Sequence, residues 1–343
     1  MVALSKCGDT QLVNERLKNE TQHSAAAGQR ILVTGGAGYL ATNLISLLSN
    51  ADCHIIRLAR PGALLVPMNS VAQIEDVTGD VRKRSTWEQV LVGTDIVFHF
   101  AAQTSAYVAN KNPPADLDNN FMPKLHLLET CRQHGRQPIV LFASTVTVTG
   151  IPTRLPVDET HPDHPITIYD LHKLMAEQYL KWYASQRIVR GSILRLSNVY
   201  GPGPKSSRSD RGILNQMIHK ALVGELLTVY KPGDCLRDYV YVEDVVQAFL
   251  AAVHHIEAVN GQHFIIGSGQ GHTIDQAINL VADRVALKTG RLVTVKYIDP
   301  PSPQSPIEDR NFVADSRRFS QATGWRARYL LAEGIDRTVK AFL

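Results

Sequence analysis

The sequence predicts an α/β protein built on a doubly wound parallel sheet, with a smaller C-terminal lobe. Three observations carry that prediction. An apolar run over 29–34 ends abruptly in a glycine turn, Gly35-Gly36-Ala37-Gly38, and helical spacing of apolar residues (Leu40, Leu44, Ile45, Leu47, Leu48) follows at once. Further short apolar runs recur at 54–58, 96–100, 139–143, 189–194 and 263–266. Helical stretches such as 119–134 and 168–185 lie between them. Near-continuous apolar strands alternating with helices belong to a parallel sheet covered on both faces.

The rhythm breaks after Tyr200. A polar, basic loop over 201–212 precedes a helical pattern over 213–223, and residues 300–306 form a proline-rich loop. The segment 239–254 is expected to return to the main sheet. The predicted division is therefore a flexible leader over 1–28, a dinucleotide-type domain over 29–199 and 236–266, and a discontinuous lobe over 200–235 and 267–343.

Composition excludes several classes. The 343 residues are 44% hydrophobic and 20% charged, ordinary for a protein with a large core. No run approaches the roughly 20 apolar residues of a membrane-spanning helix. The leader lacks the apolar core of a signal peptide, so a cytoplasmic location is expected. Four cysteines lie far apart and read as free thiols; the 13 histidines form no metal-binding spacing, so no metal is expected. A dispersed net charge of +4 argues against nucleic acid and suits a small anionic substrate.

The glycine turn points to a dinucleotide. Gly35 permits the tight turn, Gly38 lets backbone N–H groups approach a pyrophosphate, and Ala41 is small enough to fit between helix and strand. Tyr169 and Lys173 stand four residues apart on one helix face. An ammonium there would favour the phenolate, whose ordinary pKa is ~10, so the pair can exchange a proton with a hydroxyl. Thr145 ends an apolar strand; Thr147 reads as a β-branched strand residue. His172, one position off the Tyr169/Lys173 face, reads as a surface or helix-packing residue.

The Gly-x-x-Gly-x-x-small turn, Gly79-Asp80-Val81, His99-Phe100-Ala101-Ala102-Gln103, Asn120 and the Thr145/Tyr169/Lys173 order together resemble one family. It is the extended branch of the short-chain dehydrogenase/reductase superfamily, the NAD(P)-dependent nucleotide-sugar epimerases and dehydratases. The likeness continues through Arg195–Pro202, Arg237–Asp244, Glu308-Asp309-Arg310 and Gly324-Trp325, nearly the whole chain. It implies an NAD(P)-binding Rossmann fold, with Gly35, Ala37, Gly38, Tyr39 and Leu40 at the pyrophosphate and Asp80 and Val81 at the adenine. Ala101, Ala102, Gln103 and Asn120 would line the cofactor, with Tyr169 and Lys173 at its reactive end. Thr145, Tyr169 and Lys173 would be catalytic, Thr145 also touching the substrate; Asn198, Arg237 and Arg310 would bind a sugar-nucleotide diphosphate. Asp244 would brace the structure. A homodimer through 119–134 and 168–185 is also implied, with Leu125, Leu128, Tyr179 and Trp182 serving either that bundle or the core.

Two departures bear on function. Where an NAD enzyme places an acid after the second strand, Ala59 stands here, followed by Arg60. A guanidinium without the acid favours NADP over NAD. Where a dehydratase has Asp-Glu after the Thr, Val146 and Thr147 stand, which cannot transfer its protons. An epimerase acting through a 4-keto sugar is the reading adopted, with an NADPH-dependent 4-ketoreductase as its alternative and a dehydratase behind. A non-catalytic dinucleotide sensor would be expected to lose Tyr169 or Lys173, and both are kept.

Overall fold

The computed structural model describes residues 26–204, 212–300 and 306–343. Most of the predicted leader, Lys205–Arg211 of the basic loop and 301–305 of the proline-rich loop lie outside the described residues. The main sheet has seven parallel strands in the order β10-β6-β5-β4-β1-β2-β3. They are β1 (Arg30–Thr34), β2 (His54–Ala59), β3 (Gln73–Thr78), β4 (Ile96–His99), β5 (Ile139–Thr145), β6 (Arg190–Leu196) and β10 (His263–Ile266). The expected doubly wound sheet is what the chain forms. The strand order reverses between β1 and β4, the point at which open α/β sheets leave a crevice beyond the carboxyl ends of their strands.

Strand residues alternate between two buried layers, which is why the runs look apolar throughout. Ile31 and Val33 of β1 face one layer with helices Tyr39–Leu48 and Val242–His254. Leu32 faces the other, among residues of helices Arg84–Val90, Met122–His134 and Ile168–Ser185. Two small sheets stand apart: β7 (Asn198–Tyr200), β9 (Leu236–Tyr241) and β11 (Gly271–Thr273), and the pair β8 (Leu227–Tyr230) and β12 (Val295–Ile298). A third core gathers around them, from Tyr200 through helices Ile213–Leu222 and Ile274–Thr289 to Leu331–Phe342.

Several elements differ from the sequence reading. β3 was not foreseen: it pairs only with β2 at the sheet edge, and its Gln-Ile-Glu-Asp-Val-Thr run is charged as an edge strand tends to be. The predicted helix over 119–134 is two helices, Pro113–Asn120 and Met122–His134, broken just ahead of Pro123. Segment 239–254 returns to the main sheet as a covering helix, whereas its first residues pair with β7. Leu128 lies in the core and Leu125 packs against it, while Tyr179 and Trp182 remain 40% and 55% exposed. Among the described residues no helix is long and apolar enough to cross a membrane.

The helix Ile168–Ser185 is fixed to the sheet by a buried ion pair. Glu177 and Arg195 are 0% and 1% exposed; Arg195 Nη2 donates to Glu177 Oε2 at 2.7 Å. Ser144 of β5 donates to the same carboxylate, and Arg195 also holds Asp163 at 2.6 Å. Removing Glu177 takes from Arg195 its fully buried counter-charge and leaves it only the partly exposed Asp163. Glu177→Ala should therefore lower the unfolding free energy by about 3–5 kcal/mol, and Glu177→Leu with Arg195→Met should recover most of it. Guanidinium denaturation of the variants measures this; a loss below about 1 kcal/mol for Glu177→Ala would show that the pair does not hold the helix.

Candidate active site

The glycine turn sits at the β1/β4 end of the crevice. Gly35 has φ +69°, and a Cβ there would lie 3.0 Å from the Ala101 backbone nitrogen. A Cβ on Gly38 would lie 2.8 Å from the Gly35 carbonyl, which accepts from the Gly38 N–H. No side chain caps helix Tyr39–Leu48, and its first turn holds no acid. Its first N–H groups, beside Ala37, Tyr39 and Leu40, have no acceptor within the helix. The cradle therefore fits an anionic pyrophosphate. Tyr39 packs on the loop after β7, where a Cβ at Gly203 would come within 2.6 Å of its ring; Asn43 donates to the Pro202 carbonyl at 3.0 Å.

Thr34 ties this turn to the end of β4. Its hydroxyl accepts from the Phe100 and Ala101 N–H groups at 3.1 and 3.0 Å. With both lone pairs taken, its proton goes to His99 Nδ1 at 3.0 Å. Beyond Ala101 and Ala102, the Gln103 N–H donates to Asn120 Oδ1 at 3.1 Å. Gln103 Nε2 and Asn120 Nδ2 both donate to Asp116 Oδ1, at 2.7 and 2.8 Å. The other Asp116 oxygen meets His172 Nδ1 at 2.8 Å. Of the two places considered for His172, it takes the buried one between helices.

At the far end of the crevice, Arg60 is exposed just past β2 and Ala59 is buried. The Arg82 side chain and N–H both donate to Asp80, and that holds its carboxyl below the ordinary range. The Val81 carbonyl accepts from the Trp87 indole at 2.7 Å.

Thr145 is the last residue of β5 and caps a short 3₁₀ turn, accepting from the Thr147 N–H at 3.2 Å. Tyr169 and Lys173 enter from the first turns of helix Ile168–Ser185, capped by Thr167. Lys173 Nζ donates to the Ala143 carbonyl at 2.7 Å and lies 6.0 Å from the Tyr169 ring centre. Burial pushes Lys173 down to about 8, against the opposing pull of Glu177 and Asp116. Thr145, Tyr169 and Lys173 thus belong to the two elements that Glu177 joins.

The residues expected at the diphosphate come from later in the chain. Asn198 lies on β7, in register with Tyr239 of β9. Arg237, on β9, is buried and donates to the carbonyls of Leu236, Glu308 and Arg310. Arg310 donates to the Ile307 carbonyl at 2.9 Å, while its buried Nε has no hydrogen-bond partner among the described residues. Burial and the Arg237 charge push Arg310 down to about 10; Asp170, next to Tyr169, pulls the other way. Arg237 and Arg310 are brought together, and the Arg310 charge acts on Asp170 in the helix of Tyr169.

The sequence model of the NAD dependent epimerase/dehydratase family matches residues 31–267. The chain belongs to this family. A UDP-glucose 4-epimerase of Mycolicibacterium smegmatis is 30% identical over 322 residues, covering 91% of this chain and 98% of that protein. The structure of UDP-glucose 4-epimerase from Thermotoga maritima with UDP-glucose has a TM-score of 0.80 at 28% identity, covering 92% of this chain and 98% of the other. That of the Thermus thermophilus UDP-glucose 4-epimerase in complex with NAD gives 0.76 at 28% identity, covering 92% and 99%.

Within this family member, several residues at the site escaped the sequence reading. Thr147 is more than a strand residue: its hydroxyl lies 2.8 Å from that of Thr145 and donates to Asp170. Asp170, Asp116 and Thr34 were also missed. Glu177 had a visible signal, since Tyr169, Lys173 and Glu177 follow one another every fourth position. Lys124 is fully buried beside Lys173, its Nζ 3.9 Å from the Phe142 ring centre and without a hydrogen-bond partner among the described residues. Nothing in the sequence distinguished it from a solvated helix lysine. For Lys173, NMR of lysine labelled at Cε, assigned with Lys173→Met, should give a midpoint near about 8 in the free protein. The ammonium is then present below that pH and lost above it; a midpoint at the ordinary lysine value would refute the desolvated position.

Proposed function

We propose that this chain is a nucleotide-sugar epimerase acting through a transient 4-keto sugar. The observation that supports this reading is that the strand end carrying Thr145 and the helix carrying Tyr169 and Lys173 are joined through Ser144–Glu177, Thr147–Asp170 and Lys173–Ala143, with Val146 and Thr147 where a dehydratase needs two carboxylates. The bound nicotinamide cofactor would accept hydride from the sugar carbon and return it. Tyr169 takes the proton of the sugar hydroxyl and gives it back, Lys173 supports the phenolate, and Thr145 bonds the same oxygen. Gly35, Ala37, Gly38, Tyr39 and Leu40 hold the pyrophosphate, Asp80 and Val81 the adenine, and Ala101, Ala102, Gln103 and Asn120 the reactive half. Asn198, Arg237 and Arg310 take the substrate diphosphate, for which guanidinium forks are suited. The relatives named as UDP-glucose 4-epimerases support a nucleotide-sugar substrate.

Arg60, exposed after a strand that ends without an acid, supports NADP over NAD. It also favours the second reading, an NADPH-dependent 4-ketoreductase. The proposed division into 29–199 with 236–266, and 200–235 with 267–343, puts the cofactor on the first part and most substrate contacts on the second. A cytoplasmic homodimer through helix Ile168–Ser185 fits the exposed Tyr179 and Trp182 on it.

Incubation with a panel of nucleotide sugars tests the reaction. Epimer formation without net loss of NADPH is expected; stoichiometric consumption with a keto sugar would instead establish the reductase. Tyr169→Phe should abolish turnover and leave cofactor binding intact, and full activity in that variant would remove the mechanism. Titration with each dinucleotide tests the cofactor: NADP should bind more tightly, and equal or tighter NAD binding would overturn that preference.

A further inference from the structure

A chain of hydrogen bonds leads from the reacting centre to a buried carboxyl group. The Thr145 and Thr147 hydroxyls are 2.8 Å apart, and Thr147 Oγ1 meets Asp170 Oδ1. Asp170 Oδ2 accepts from Thr167 Oγ1 at 2.7 Å. The Thr147 N–H occupies one lone pair of Thr145. Each hydroxyl has one proton to give, so the chain can run in only two fully satisfied directions. With Asp170 ionised, Thr147 donates to it and Thr145 donates to Thr147. Thr145 then offers the sugar oxygen only a lone pair. With Asp170 protonated, Asp170 donates to Thr147, Thr147 to Thr145, and Thr145 donates outward.

We propose that Asp170, acting through Thr147, is a positioning residue whose protonated form makes Thr145 a hydrogen-bond donor to the sugar oxygen. Ionisation of Asp170 reverses Thr145 to an acceptor. This rests on the epimerase reading, in which that oxygen becomes a carbonyl and needs donors, while Tyr169 exchanges the proton. Asp170 is 1% exposed. Burial raises its proton affinity, against the Thr147 and Thr167 hydroxyls and the charge of Arg310 facing it from the segment after Pro306–Asp309. Tyr169 and Lys173 are its neighbours on its own helix. Its place in the first turn, bonded to the capping Thr167, would by itself give Asp170 only a structural role.

The two roles differ in their pH dependence. Asp170→Asn keeps both bonds, its amide nitrogen donating to Thr147 and its oxygen accepting from Thr167, and so locks Thr145 as a donor. With cofactor-loaded enzyme and a nucleotide sugar that the wild type turns over, kcat should fall as pH rises past the Asp170 midpoint. Asp170→Asn should stay within about threefold of the wild-type maximum and lose that limb. Thr147→Val should lose the limb and about tenfold or more in kcat, and Thr147→Ser should restore both. An Asp170→Asn enzyme that folds but is inactive, or that keeps the limb, would overturn the proposal.

A second readout needs no sugar. Carbon-13 NMR of aspartate carboxyls, assigned with Asp170→Asn, should place the Asp170 midpoint above the ordinary aspartate value and higher still in Thr147→Val. A midpoint at or below the ordinary value, or one unmoved by Thr147→Val, would sink the hydrogen-bond chain. Failure of the wild type on every nucleotide sugar, with these NMR shifts present, would count against the epimerase reading and leave the chain standing.

Discussion

The site depends on one buried contact, that between Glu177 and Arg195. Tyr169, Lys173 and Glu177 form a single stripe along one helix; Lys173 bonds the Ala143 carbonyl of β5, and Glu177 makes the charged contact with the sheet. Its carboxylate accepts from Ser144, the residue before Thr145, and from Arg195 on the adjacent strand. The helix can therefore neither slide nor rotate against the strand end where Thr145 stands without stranding a charge. Apolar packing would be as stable or more so. A hydrophobic face tolerates slippage by a turn, however, and an ion pair with three directional partners does not. Here the pair gives register more than stability, and register is what a proton-exchanging tyrosine needs.

Around that contact the protein accepts an unusual density of buried cationic side chains. Lys124 and Lys173 both lie over the Phe142 ring, at 3.9 and 4.4 Å from its centre, and the His99 ring stacks against the same ring. Burial lowers the proton affinity of all three. The physical effect is a region that holds weakly retained positive charge where a phenolate and a hydride-accepting ring are proposed to lie. Burial, with the charges of Lys124 and Lys173, disfavours a charged His99, and its Nδ1 pairs with the Thr34 hydroxyl.

Most of the fold was legible because it is written in repeated signals. Seven strands share one sheet, and the six buried on both faces or near its centre announced themselves as apolar runs. β3 did not, because an edge strand with one neighbour can afford Glu75 and Asp76, and Asp76 is there to meet the buried Arg57 at 2.6 Å. The trio proposed as catalytic stood out through spacing and order. Residues such as Asp170 and Thr147 did not, since their meaning lies in a contact across 23 positions that no local pattern encodes. Lys124 shows the opposite limit: its residue type argues for solvent, and only tertiary packing places it in the core.

Arg310 connects the two ends of the proposed chemistry. Arg237 donates through Nη1 and Nη2 to three backbone carbonyls and so shapes the loop, whereas Arg310 has a buried Nε that meets no partner among the described residues. The Arg310 charge also opposes protonation of Asp170. A diphosphate oxygen taken up by Arg310 would satisfy that Nε and offset its charge at the carboxyl group. Substrate binding would then favour the protonated Asp170 and, through Thr147, the donating orientation of Thr145. In the free enzyme the same arginine holds the chain toward the opposite direction. On this view the lobe that recognises the phosphates also prepares the hydroxyl at the sugar, through one guanidinium placed between them.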